Sequence, residues 1–243
     1  MRWLFLFAVF PIFGAYIGNP ADPAIMNTGF FSGCYPFFKF TSGYIYDYTQ
    51  NKRFVAHDQT IKRFGLHSQM ASFSFIFIER LQLFGTAGGS KETVVEKPLF
   101  DMVVDVHTNY HFSWGAGGKI ILFQWGQTFI SGDFIYFAIP SSHKSYFQFL
   151  NRLNLPLDTG KQEFSLREWE ASVGLSSRFA FLTPYVGVSY LRSKLHADLP
   201  YRNDLDWGYF YGLTISLTGR LHVNAERRVR NESAYTLSTI AVF

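Results

Sequence analysis

The fold class that this sequence predicts is all-β: a transmembrane antiparallel up-and-down β-barrel of about ten strands, with short periplasmic turns and longer extracellular loops. Three observations lead there. From Phe37 onward side-chain polarity repeats every two residues rather than every 3.6. The alternating runs outlast the roughly 5–6 residues of an ordinary globular strand. The chain is also poor in charge for its length: 16% of its 243 residues are charged while 19% are aromatic, against about 25% charged in an average soluble domain.

The elements follow in chain order. Met1 and Arg2 give a short positive start, and Trp3 to Phe13 ("WLFLFAVFPIF") is an apolar run of signal-peptide length. Gly14 and Ala15 are small residues suited to cleavage, so residues 1–15 are expected to be an export signal. The run is shorter than the roughly 20 residues that span a bilayer as a helix. Residues 16–36, rich in Pro and Gly, are expected to form an N-terminal periplasmic tail. The barrel is expected over 37–243. Cys34 is the single cysteine. It excludes an internal disulfide and is either a free thiol or an intermolecular link.

Within the barrel the clearest strand is "DLDWGYFYGLTISLTGR". Leu205, Trp207, Tyr209, Tyr211, Leu213, Ile215 and Leu217 form an apolar face. Asp206, Gly208, Phe210, Gly212, Thr214, Ser216 and Thr218 form a smaller, more polar one. Lipid-facing and lumen-facing residues alternate in this way in membrane barrels. The pattern recurs around Tyr110–Leu122, Glu168–Arg178 and Leu221–Arg228. Tight turns fit near Glu79-Arg80, Trp125-Gly126, Phe181-Leu182 and Gly219-Arg220. Longer polar stretches lie at 49–60, 88–108, 141–164 and 197–204, with a short "RNES" at 230–233. In the final segment Tyr235, Leu237, Thr239, Ala241 and Phe243 share one face. A closed barrel pairs its last strand with its first and leaves no free edge. By likeness to outer-membrane barrels in general, Tyr235, Leu237 and Phe243 are expected to act as a signal read by the β-barrel assembly machinery.

Specific stretches carry a family resemblance. "IGNPADPAIM", "RLQLFGTAGG", "FSWGAGGKIILFQWG" and "EWEASVGLSSRFAFLTPYVGVSYLRS" resemble the start and the strand-turn-strand units of the chlamydial major outer membrane porins. The resemblance touches most of the chain in blocks and is most specific at Asn19-Pro20 and from Glu168-Trp169 to Arg192. It implies an outer-membrane protein that allows passive diffusion of small solutes, a homo-oligomer, and contact with outer-membrane lipid and lipopolysaccharide. Family porins are longer and cysteine-rich. This chain keeps only Cys34, so a disulfide network is closed to it, and its barrel should be narrower.

Other chemistry has less support. The scattered Lys and Arg residues form no basic stripe, which argues against nucleic acid. The seven His residues are dispersed, and no Ser, His and acid constellation stands out. His107 and His111 would sit about 13 Å apart along a strand, too far for one metal. Glu168 and Glu170 would sit about 6–7 Å apart on one face, where a charged lumen wall explains them better than a sugar-cleaving pair. "GTAGGS" lacks the Lys-Ser/Thr of a phosphate loop. No enzyme, metal or cofactor is therefore expected. The expected lumen set is Lys119, Glu168, Glu170, Arg178, Asp206, Glu226 and Arg228. These could ring an open channel and bias what passes. They could instead pair across the interior and close it, leaving a structural or host-contacting barrel whose loops carry the function.

Overall fold

The structure is a computed structural model that describes residues 18–26, 38–56, 59–96, 104–150, 153–156, 163–196 and 200–243. A short helix, α1 (Asp22–Ile25), comes first. The strands are β1 (Phe38–Ala56), β2 (Gln59–Phe77), β3 (Leu81–Glu96), β4 (Val104–Thr108), β5 (His111–Trp125), β6 (Thr128–Leu150) and β7 (Leu153–Pro156). They continue as β8 (Glu163–Ser177), β9 (Leu182–His196), β10 (Pro200–Asn203), β11 (Trp207–Thr218), β12 (Leu221–Val229) and β13 (Glu232–Val242). Ten of them form the wall, in the order β1, β2, β3, β5, β6, β8, β9, β11, β12, β13, each antiparallel to the next. β13 then pairs with β1 from Thr41↔Val242 to Lys52↔Glu232, which closes the barrel. Closure satisfies every wall strand on both sides, the condition for sheet in hydrocarbon.

Turns and faces follow the alternation. Tight connections lie at 78–80, 126–127, 178–181 and 219–220. Phe112, Trp114, Val173, Leu175, Trp207, Tyr209, Tyr211, Tyr235 and Leu237 point outward and are exposed, while Ser113, Ser172, Glu226 and Thr236 point inward and are buried. The expected export signal and Cys34 fall outside the described residues.

The long extracellular stretches are structured differently from the loops expected. β1 and β2 stay paired as far as Ala56↔Gln59, through register shifts near Thr49, Lys52 and Phe54. β3 runs on to Glu96 and pairs with β4. β6 runs on to Leu150 and pairs with β4 and β7. β10 joins β9 to β1 above the shorter β11, β12 and β13. Much of 49–60, 88–108 and 141–164 is thus hairpin sheet rising beyond the membrane.

The first turn carries local strain. Ile78 and Glu79 have φ of 51° and 56°, a left-handed conformation that costs an L-residue roughly 1–2 kcal/mol and suits β-branched side chains least. Ile78 is 67% exposed, so its side chain adds little packing. Ile78→Gly is expected to raise the urea midpoint of the refolded barrel, by up to about 1 kcal/mol of stability. A lower midpoint would show that Ile78 packs or inserts in a way this geometry does not include.

Candidate functional site: the barrel lumen

The interior is built in three layers. The lowest is α1 and its flanks, residues 18–26, which lie inside the barrel; the rest of 16–36, expected as a periplasmic tail, falls outside the described residues. Asn19, Ala21, Asp22, Ile25 and Met26 are all buried. Asn19 reaches two walls: its amide donates to Thr214 Oγ1 on β11 at 3.1 Å, and its Oδ1 accepts from Ser176 Oγ on β8 at 2.8 Å. A third wall supplies Lys119 on β5, whose Nζ lies 2.6 Å from Asp22 Oδ2 and donates to the Asn19 carbonyl at 3.2 Å. Ala21 and Ile25 pack against Ile121 and Phe129. Met26 packs with Ile76, Ile240 and Val242. The "ADPAI" stretch lends itself to this, since Pro23 sits in the first turn of α1, where a proline forfeits no helical hydrogen bond. A cavity of about 20 Å³ remains beside α1, lined by residues including Asp22, Ser74, Gln82 and Lys119. That is room for about one water.

The middle layer is a charge network. Lys52 Nζ lies 2.7 Å from Glu168 Oε1 and 2.8 Å from Glu232 Oε2. Arg228 Nε lies 2.7 Å from the other oxygen of Glu232, and its terminal nitrogens reach Asp47 and Glu226. Thr236 also donates to Asp47. Tyr185 OH lies 2.9 Å from Asn224 Oδ1 and 3.0 Å from Glu226 Oε2. Ser172 donates to Asp133 at 2.6 Å. Four strands (β1, β8, β12 and β13) are therefore tied across the interior by two cations. Such groups are buried at a desolvation cost that only dense pairing offsets. Acids outnumber bases nonetheless. Among the described residues the buried carboxylates are Asp22, Asp47, Glu92, Asp133, Glu168, Glu170, Glu226 and Glu232, and the buried cations are Lys39, Lys52, Lys119 and Arg228.

The upper layer is apolar. Phe54, Ile61, Phe64, Leu66, Met70, Val94, Phe137, Ile139, Phe164, Leu166, Leu195 and Tyr201 form one buried cluster inside the extracellular part of the barrel. Phe54 and Phe64 meet edge to face, with ring centroids 5.0 Å apart. Above the membrane the outside faces water, so the pattern inverts: Arg53, Arg63 and Arg202 are exposed while Phe54, Phe64 and Tyr201 are buried.

Five of the seven expected lumen residues are inside. Lys119 holds α1, Glu168 pairs with Lys52, Glu226 and Arg228 belong to the network, and Glu170 is buried beside it. Two lie at the ends of the lumen rather than within it. Arg178, half-buried, follows β8 at the periplasmic mouth, near enough to the inward-facing His222 for their charges to interact, and its backbone N–H donates to Gln127 O at 2.9 Å. Asp206 lies ahead of β11 at the extracellular rim, accepting from Asn203 Nδ2 at 2.9 Å and Tyr190 OH at 3.2 Å. Strand alternation assigns both to the lumen, but neither lies within a strand. Asp22, Asp47, Lys52, Asp133 and Glu232 are lumen residues that the sequence reading misses. Lys52 and Glu232 fall in stretches that read as a loop and a turn, and the register shift after Thr49 moves Lys52 to the inner face. No group of three or more His, Cys, Asp or Glu suited to a metal ion occurs among the described residues.

No protein-family model matches the chain. It is 26% identical over 160 residues to the major outer membrane porin, serovar L3, of Chlamydia trachomatis, covering 55% of this chain and 39% of that porin. It is 29% identical over 136 residues to the serovar L1 porin, covering 44% and 34%. The chain spans well under half the length of these curated relatives. Among solved structures it is similar to an outer membrane channel from Pseudomonas putida F1, with TM-score 0.40 and 9% identity over 86% of this chain and 96% of that one. It is also similar to the translocator domain of the autotransporter NalP from Neisseria meningitidis (0.40, 10%, 85% and 88%) and to the outer membrane protease OmpT from Escherichia coli (0.35, 9%, 85% and 94%). With its closed wall and its porin relatives, the chain is a multi-pass β-barrel of the bacterial outer membrane.

Proposed function

We propose that this outer-membrane barrel, similar in sequence to the chlamydial major outer membrane porins, is a non-enzymatic porin-like protein whose lumen is held closed from within. The observation that carries the reading is the buried contact of Lys119 with Asp22 and the Asn19 carbonyl, 2.6 Å and 3.2 Å long. It fixes α1 in the pore at the level where a solute would leave. The cross-wall ion pairs of Lys52 and Arg228 and the apolar layer above them add to the same end. Barrels of about eight strands are filled by side chains while those of 16 or more leave a channel, and ten lies near the first case. Its role is then chiefly structural, as part of the envelope wall.

A second reading is passive diffusion of small solutes. The excess of buried carboxylates over cations favours it, because an acidic lining would draw small cations. Single-channel conductance in planar bilayers separates the two. The closed-lumen reading expects almost no conductance from the native chain. It expects discrete, cation-selective steps from Asp22→Ala, which frees α1 from Lys119. Steady conductance of the native chain, unchanged by Asp22→Ala, would overturn the closed lumen and leave diffusion standing.

A further inference from the structure

The inversion of polarity along the strands marks where hydrocarbon gives way to water. On β8 the outward residue changes from Trp169 to Arg167, as the inward one changes from Glu168 to Leu166. On β9 it changes from Tyr190 through Arg192 to Lys194. Trp169, Tyr190 and Trp207 form a continuous aromatic belt just below, with centroids 5.4 Å and 5.1 Å apart. Tyr and Trp collect at the interface between chain region and headgroups.

Just above that belt, three cations stand side by side on neighbouring strands. Arg167 is directly opposite Lys194, and Lys194 directly opposite Arg202. All three are exposed on the outer face. Like charges directly opposite one another are destabilising. None of the three has an ion-pair partner among the described residues. Arg192 and Arg53 lie on the same face one step nearer the membrane, with Asp204 as the nearby carboxylate. Water on the outer face accounts for exposed charge there, but not for three charges of one sign in register; an anion among them would relieve that repulsion.

We propose that Arg167, Lys194 and Arg202 form a binding site for phosphate groups of a phosphorylated glycolipid in the outer leaflet. Guanidinium groups bind phosphate bidentately and a lysine binds it as a point charge. The lipid source is favoured over a free anion by the height of the row. An acyl chain below it would run along the half-buried Trp169 and the exposed Val173, both on β8 below Arg167. Removal of one cation near an anionic headgroup should weaken binding about fivefold, and removal of three about 100-fold.

The test titrates the refolded full chain in detergent with fluorescent bisphosphorylated lipid A. The combined variant Arg167→Gln, Lys194→Gln, Arg202→Gln should bind about 100-fold more weakly than the native chain. Enzymatically dephosphorylated lipid A should lose affinity for the native chain to a similar degree. Arg80→Gln, in an exposed turn at the opposite rim, should leave binding unchanged. Heat-modifiable gel mobility reports folding; if the combined variant does not fold, Arg202→Gln alone should still show a fivefold loss. Undiminished binding by either variant would overturn the site. Displacement of lipid by inorganic phosphate at equal concentration would reassign it to a small anion. Binding of dextran sulfate through the same three residues, with no lipid binding, would reassign it to a soluble polyanion.

Discussion

Arg228→Met is expected to destabilise the barrel by about 3–5 kcal/mol, the usual cost of removing one partner from a buried ion-pair network. The guanidinium is almost wholly buried and lies against Asp47, Glu226 and Glu232 at once. Methionine fills the volume but leaves three carboxylates facing one another in a water-poor interior. Arg228→Lys should avoid only part of that loss, because an ammonium lacks the planar fork that meets several acids at fixed angles. Restoring apolarity, with Asp47→Leu added to Arg228→Met, should recover more than either change alone would suggest. Urea titration of the refolded barrel, followed by heat-modifiable gel mobility, measures each value. An Arg228→Met protein as stable as the native one would mean that this layer is hydrated and that the lumen is more open than its packing implies.

A proline in the closing seam should have a larger effect still. Leu237 lies between Ala225 on β12 and Tyr46 on β1, in the middle of the pairing that closes the wall. Leu237→Pro removes a ladder donor and introduces a ring where two strands pack. An opened edge exposes unpaired amides and carbonyls to hydrocarbon, at several kcal/mol for each group. No folded barrel is expected from this variant, either in membranes or on refolding, whereas Leu237→Val should fold. Recovery of heat-modifiable Leu237→Pro protein would show that the β1–β13 seam does not hold the barrel closed. Phe243→Asp separates a second effect. Phe243 donates its N–H to Phe40 O at 2.8 Å and packs its ring on Phe40, so refolding in detergent should lose only about 2–3 kcal/mol. If Tyr235, Leu237 and Phe243 form an assembly signal, the amount of barrel assembled in cells should fall much further than that. Parallel losses in both measurements would remove the signal and leave the packing.

Alternation and turn spacing were sufficient for the wall. A side chain in a strand has only two directions, and the bilayer demands that one be apolar. "WGYFYGLTISLT" therefore declares both its structure and its outward face, as do Trp114, Val173 and Leu237. Four short turns and an even set of long strands follow from the same constraint. The lumen is legible only where strands are regular, as at Lys119, Glu168, Glu170, Glu226 and Arg228. It is illegible wherever regularity breaks. The shifted register near Thr49 carries Lys52 inward, and Glu232 opens a strand from what reads as a turn. Arg178 and Asp206 sit at the two rims because they lie beyond strand ends, where parity no longer assigns a side. Beyond the membrane, water replaces lipid and the rule inverts, so Phe54, Val94, Phe164 and Tyr201 fill the interior from stretches that read as loops. Only tertiary structure brings Asp22 to Lys119 across 97 residues. A segment rich in Pro and Gly has no periodicity to show what it packs against, and its partners are supplied by three separate strands once the wall has closed around it.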